Sequence, residues 1–564
     1  MVKYLILSLI LFSLAGTLFL HAQEPSWIWA VGAGGVSNDN GWATATDDQG
    51  NLYVTGTFRD TATFGNFTLE SAGNYDIFVA KLDPDGNFLW VSQAGGTGAD
   101  HSYDIVTSSS GNSIYIAGCF KGTSSFGNTT LISTDTLFWD GYVAKLNGNG
   151  GWLWAKQVEG NGDDVCISID LDYSAIHLHV SGNFQQNTTI GSTTLVNYGG
   201  SWDIFVARID QEGNWEWAAQ AGGINYDVCQ GIAVDNTSFI YITGYFSGVA
   251  NFGSTSLDSG DFYAVYVAKL SYQGEWQWAL MATGSANVEG YSIAVDSFYH
   301  PYVVGKFAET AEFGIHSISS NGNKDVFIAR ADPQGFWLWV DSAGGQLEDR
   351  IFDIAVDSNN FVYATGSFQN IAEFGNTTLT SSGLYDIFVI KLDRYGNWIW
   401  AKRAGGTNSD IPQGIAVDNN GNSFITGYSY DTLYFDSFTV PNLGDADIFI
   451  ARLGDETEIG DELIPMPDRN LMTISPNPFH LSATLRLDLS KYLSNSSSEG
   501  IISIYNLKGS RIKTITFQSN SNSEQTLLWD GRNENNVPCP GGIYFIDLRM
   551  DGKSLATKKV SLIH

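Results

Sequence analysis

The chain has 564 residues, with 28 Lys and Arg against 60 Asp and Glu, and a formal net charge of −32. So acidic a surface repels phosphate backbones and excludes nucleic acid as a partner, while 17 Trp, 13% aromatic residues and 62 Gly exclude a disordered acidic polymer. Four Cys (119, 166, 229, 539) cannot build a disulfide framework, and no CxxC pair offers a zinc site.

Residues 1–22 form a targeting segment. Lys3 supplies a positive n-region, residues 4–20 are apolar or small, and Leu20-His21-Ala22 offers a small residue at a cleavage point. A retained anchor is the rival reading, since the run is nearly long enough to span a bilayer. Glu24-Pro25 and a folded repeat follow at once, which favours cleavage. No Cys follows the apolar run, which argues against lipid anchoring. The expected mature protein is exported, without a transmembrane anchor once the signal is removed.

From residue 27 to 453 the chain repeats. An aromatic-x-Trp pair recurs at Trp27/Trp29, Phe88/Trp90, Trp152/Trp154, Trp215/Trp217, Trp276/Trp278, Trp337/Trp339 and Trp398/Trp400. A Gly-x-Phe motif keeps the same phase from Gly56 to Gly366, with Gly427-Tyr428-Ser429 as a degraded last copy. A Phe-Gly pair follows it, and then a segment of the type Asp76-Ile-Phe-Val-Ala-Lys-Leu82, in which Ala264 replaces the Asp of the fourth copy. Each copy reads as four strands, which in the sixth are 354–357, 361–368, 387–392 and 398–402, with a longer excursion around the Phe-Gly pair. Asp83-Pro84-Asp85-Gly86-Asn87 is a hairpin loop, because Pro presets φ and Gly accepts a positive one.

Repeats of four antiparallel strands predict an all-β fold, a seven-bladed β-propeller with four-stranded blades. Its first Trp-x-Trp strand is an orphan and its seventh copy lacks a last strand. Joining the two closes the ring with the N-terminal strand. The Gly-x-Phe, Asp-x-Phe-Val-Ala-Lys-Leu and Asn-x-x-Trp motifs resemble those of the SBBP β-propeller repeat family, which implies the fold and no particular activity.

Residues 454–470 read as an acidic linker. The composition then reverses: residues 1–453 carry a net charge of −30 and residues 470–564 a net of +3. The tail, 471–564, resembles the type A C-terminal sorting domain of the type IX secretion system of Bacteroidetes. The resemblance rests on Pro476, Asn477, Pro478 and Phe479, on 502–509, on Trp529-Asp530-Gly531, on Gly542 and Tyr544, and on Lys558-Lys559. It implies a small Ig-like β-sandwich, recognition by the secretion machinery, and a location that is secreted, extracellular or on the outer-membrane surface. An ordinary binding sandwich is the alternative.

Chemistry on a repeat should break its symmetry. The Trp pairs are core packing or an aromatic platform for sugars. An acid precedes the inner strand of each copy, at Asp39, Asp100, Asp164, Asp227, Glu289, Asp349 and Asp410. Two readings are open: a carboxylate ring at one mouth of the channel that could hold Ca2+, or carboxylates capping turns. Beside them His101 and Arg350 are unusual and could touch a ligand. Cys166 and Cys229 read as small buried hydrophobes, His177 and His179 as a weak metal motif, and Asp163 and Glu159 as the nearest catalytic carboxylates. No metal site, cofactor or catalytic motif stands out. The leading expectation is a non-catalytic binding protein for a glycan or protein. A hydrolase or lyase on a propeller scaffold, or a structural surface component, are its rivals.

Overall fold

The computed structural model describes residues 25–454 apart from 200. Of the C-terminal part it describes 472–475, 479–480, 482–488, 498–506, 511–519, 524–534, 536–550 and 553–563. The signal segment 1–22, most of the linker, and Pro476, Asn477 and Pro478 lie outside the described residues. The chain divides into two compact units, Met1–Glu456 and Thr457–His564.

The first unit is all β. Its innermost strands are Asn40–Thr46, Asp100–Thr107, Asp164–Leu171, Asp227–Val234, Val288–Val295, Arg350–Val356 and Asp410–Val417. Each opens a four-stranded antiparallel meander. Every inner strand touches the next, and the last touches the first, where Thr46 Oγ1 donates to the Val417 carbonyl at 3.3 Å. This is the organisation of a β-propeller. The last meander borrows its outer strand from the start of the chain: Ser26–Gly35 pairs antiparallel with Asp447–Gly454, from Ser26 opposite Gly454 to Ala33 opposite Ile448.

Second and third strands are buried on both faces, as in Leu52–Phe58 and Asp386–Leu392, because each sheet is covered by a neighbour on either side. That is why they read as continuous apolar runs and not as alternation. Each core sits between meanders: Ile77 and Val79 of the first pack with Ile105, Ile114 and Phe120 of the second.

The Phe-Gly excursion is a fifth and sixth strand. In the second copy Thr123–Phe126 and Thr129–Ile132 form a hairpin whose backbone pairs not with its own meander but with the preceding outer strand, Ser124 opposite Gly96 and Ser125 opposite Gly95. The Trp pair divides between two jobs. The first ring holds its own copy's hairpin, as Trp152 does at 5.2 Å from Phe126. The second reaches the next meander: Trp29 Nε1 donates to the Pro84 carbonyl at 2.9 Å and Trp90 Nε1 to the Gly148 carbonyl at 3.1 Å. Gly86, at φ +86°, gives Trp29 its seat, since a Cβ there would stand 2.8 Å from the indole. The pairs are packing groups, as one of the two readings expects.

In the sixth copy the strands are Arg350–Val356, Val362–Phe368, Asp386–Leu392 and Trp398–Ala404. The inner one starts four residues before the expected 354, because a bulge between Ile351 and Asp353 hides its alternation.

The second unit has a three-stranded sheet (Met472–Ser475, Ala483–Asp488, Glu524–Trp529) and a four-stranded one (Arg511–Ser519, Ser498–Asn506, Gly542–Met550, Lys553–Leu562). They share one core that includes Leu485, Ile504, Trp529, Ile546 and Val560.

Candidate functional site: an axial pocket built from bulges

Six of the seven predicted acids occupy equivalent positions, and none stands at a channel mouth. Asp39, Asp100, Asp164, Asp227, Asp349 and Asp410 are all 0% exposed, at the junctions between meanders. They cap backbone. Asp100 Oδ2 accepts from Gly96 N at 2.9 Å, Asp227 Oδ2 from Gly223 N at 2.7 Å, Asp349 Oδ2 from Gly345 N at 2.7 Å and Asp39 Oδ1 from Arg59 N at 2.9 Å. The carboxylate ring is therefore corrected to turn caps. Glu289 is corrected too: Val288, opposite Phe307, is the equivalent of Asp227, opposite Phe246. Burial lifts the carboxyls of Asp39, Asp100, Asp227 and Asp349 to about 7, and those of Asp164 and Asp410 to about 8. A second buried aspartate from the third strand of the preceding meander faces each: Asp447, Asp76, Asp140, Asp203, Asp325 and Asp386, in the same sequence-order as starting from Asp39.

One residue further along, the copies differ: Asn40, His101, Val165, Val228, Glu289, Arg350 and Ile411. His101 stacks on Tyr103 (6.0 Å) and lies 5.1 Å from Trp139 and 5.5 Å from Tyr75. Burial pushes its pKa down to about 4, so the imidazole is neutral. Arg350 pairs with Glu348 at 3.0 Å and lies 4.8 Å from the Tyr385 ring. Glu289 accepts from the Tyr291 hydroxyl at 2.6 Å and pairs with Lys306 at 3.4 Å. His101 and Arg350 thus sit in an aromatic cluster and a charged one.

Next comes the feature that organises the site. All seven inner strands carry a bulge at the same place, between Gly41/Ala43, Ser102/Asp104, Cys166/Ser168, Cys229/Gly231, Gly290/Ser292, Ile351/Asp353 and Pro412/Gly414. The extra residue leaves the ladder. Those residues, Trp42, Tyr103, Ile167, Gln230, Tyr291, Phe352 and Gln413, line one cavity of about 400 Å³ on the axis. Asp104 and Asp353 join them, and no Lys, Arg or His does. Asp104 Oδ2 accepts from Ser168 Oγ at 2.7 Å and Ile169 N at 2.9 Å. Asp353 accepts from Ser292 Oγ at 2.7 Å and Ile415 N at 2.8 Å. Burial raises these carboxyls to about 6 and about 7. Sequence reasoning missed this ring. Its signal was a column three residues after the junction acid that holds four aromatics and two glutamines.

Asp163 and Glu159 do not meet there: Asp163 accepts from Trp139 N at 2.8 Å, and Glu159 sits on an outer strand opposite Thr189. His177 pairs with Asp172 at 3.0 Å, while His179 is buried, with its pKa pushed down to about 3. All four cysteines are free and buried. Among the described residues, no three His, Cys, Asp or Glu side chains are grouped to hold a metal, and no helix is long and apolar enough to cross a membrane.

In the second unit the motif residues converge on the core. Phe479 and Tyr544 pack edge-on against Trp529 at 5.2 and 5.1 Å. Trp529 Nε1 donates to the Arg532 carbonyl at 3.0 Å, Lys513 pairs with Asp530 at 2.8 Å, and Gly531 turns at φ +68°. Lys558 and Lys559 lie opposite Ile546 and Phe545, and Gly542 opens the strand that pairs with theirs.

Comparison with known proteins adds to the fold. Residues 216–252 and 399–435 match the SBBP beta-propeller repeat. The chain carries SBBP beta-propeller repeats. It is 21% identical over 519 residues to an uncharacterized WD repeat-containing protein of Acanthamoeba polyphaga mimivirus, a match over 76% of this chain. The chain spans about a third of that relative's length, 34%. Among solved structures it is similar to PorZ of Porphyromonas gingivalis, described as an essential bacterial surface component of the type-IX secretion system. That match has 14% identity, covers 94% of this chain and 75% of PorZ, and has a TM-score of 0.30. A duf4221 family member from Bacteroides vulgatus matches at 10% identity over 77% of this chain and 98% of its own, with a TM-score of 0.33.

Proposed function

We propose that this is an exported, non-catalytic binding protein, a seven-bladed β-propeller that takes a glycan at its axial pocket. The observation that carries the reading is the convergence of seven bulged side chains on one cavity, four of them aromatic and two carrying amides. Aromatic faces stack on sugar rings while amides and hydroxyls bond sugar hydroxyls, and a concavity lined by both kinds of group suits a polar small ligand. In this reading the second unit is an Ig-like type IX sorting domain, recognised by the secretion machinery. The mature protein is then secreted or held at the outer-membrane surface.

The raised carboxyls of Asp104 and Asp353 favour a second reading, a glycan hydrolase or lyase. It is the weaker one, because both oxygens of each carboxylate already accept hydrogen bonds. The test is an array of neutral and acidic polysaccharides probed with the chain, with reducing-end release assayed on every binder. Binding without release is the expected result. Release abolished by Asp353→Asn would replace the binding reading with the enzymatic one. No glycan binding at all would overturn the glycan assignment.

A further inference from the structure

The buried aspartate pairs at the junctions do more than cap turns. A Cβ added to Gly344 would stand 2.6 Å from Asp325 Oδ1 and 2.7 Å from Asp349 Oδ2; one on Gly34 would stand 2.1 Å from Asp447 Oδ1 and 3.0 Å from Asp39 Oδ2. In these two pairs one oxygen of each carboxylate therefore lies within about 5 Å of the other, close enough for one cation to contact both. The carboxylates are at most 3% exposed, yet Asp76 Oδ1, Asp100 Oδ1, Asp203 Oδ1, Asp227 Oδ1 and both oxygens of Asp164 have no hydrogen-bond partner. Burying such oxygens beside each other without a cation is costly.

The repeat supplies its own controls. At one junction, Asp386 and Asp410, the chain provides a cation: Arg403 Nη1 lies 3.2 Å from Asp386 Oδ2. At another, both acids are absent together, as Ala264 and Val288, and the position of Arg403 is Met281, opposite Tyr266 as Arg403 is opposite Phe388. The first Gly of the flanking Gly-Gly is Thr283 there. The two acids are lost together, and the meander still folds around the apolar version.

We propose that the five remaining aspartate pairs are divalent-cation sites, each holding calcium between two buried carboxylates where neighbouring blades meet. Calcium takes six to eight oxygens, and among the described residues no third His, Cys, Asp or Glu is grouped with a pair closely enough to hold a metal. The loops that wrap the Asp76–Asp100 pair, 71–75 and 96–99, are stitched together by Asn74 N to the Gly98 carbonyl at 3.0 Å and by Asp100 N to the Tyr75 carbonyl at 2.8 Å, and the rest of a shell would come from their other carbonyls and from water. The sites do not depend on the axial pocket or on what it binds.

The test is metal content, by plasma mass spectrometry, of the full chain equilibrated with calcium and desalted. It is read beside the melting temperature with and without EDTA at pH 8. Several calcium ions per chain, up to five, and a lower melting temperature after chelation are expected. The variant Asp325→Ala with Asp349→Val, which copies the apolar junction, should fold and lose one equivalent. The variant Asp386→Ala with Asp410→Val should lose none. A metal-free chain whose melting is indifferent to EDTA would overturn the proposal and leave the pairs sharing protons. So would an unchanged calcium count in the first variant.

Discussion

Ring closure can be tested at a single side chain, because the chain repeats the same contact at internal junctions. Trp29 lies on the N-terminal strand, is 7% exposed, and donates to the Pro84 carbonyl in the next blade. Trp90 makes the equivalent bond to Gly148 at an internal junction. Trp→Ala at a buried site costs about 3–5 kcal/mol, including the lost hydrogen bond and the cavity. Over roughly 430 residues the unfolding entropy is on the order of 0.9 kcal/mol/K, so either substitution should lower the melting temperature of the first unit by about 4 °C. Scanning calorimetry of Trp29→Ala and Trp90→Ala checks this. Equal shifts mean that the terminal strand is a full member of the ring. If Trp90→Ala lowers the transition and Trp29→Ala leaves it within a degree of the parent, the strand frays and the closure argument fails.

Two further expectations concern other links in the account. In EDTA the junction aspartates, whose folded pKa values stand near 6 to 8 against 3.8 unfolded, bind more protons when folded. Stability should then be greatest near pH 4 and fall as pH rises through 8, a trend that melting curves in chelator read directly; calcium should reverse it. In the second unit, Trp529→Ala removes a 0% exposed ring that packs on Phe479 and Tyr544. It should cost about 3–5 kcal/mol in the second unit's unfolding transition and leave that of the first unchanged, with urea titration as the check.

Periodicity made most of the architecture legible. The Trp-x-Trp phase located every outer strand, and the orphan pair at Trp27 anticipated its pairing with Asp447–Gly454. The candidate site was less legible, for a geometric reason. Sequence patterns assume that side chains alternate along a strand, and each inner strand breaks that alternation at its bulge. Counting from the acid therefore failed in the fifth copy, where the apolar Val288 holds the junction and the neighbouring Glu289 reads as its acid. It also hid Trp42, Tyr103, Tyr291 and Phe352, which look like ordinary strand residues until the bulge turns them to the axis. Each acid faces a second aspartate of the preceding meander, 24 residues earlier in Asp76/Asp100 and Asp203/Asp227, a pairing that no local pattern records.

The central claim is that the bulged residues form the binding surface. The most direct measurement compares the wild-type chain with a Tyr103→Ala, Tyr291→Ala double variant on the same polysaccharide array, with calorimetric titration of each hit. The account predicts that affinity falls at least tenfold while the first unit still unfolds in one cooperative transition. Undiminished binding by the double variant would place the ligand elsewhere and contradict the account.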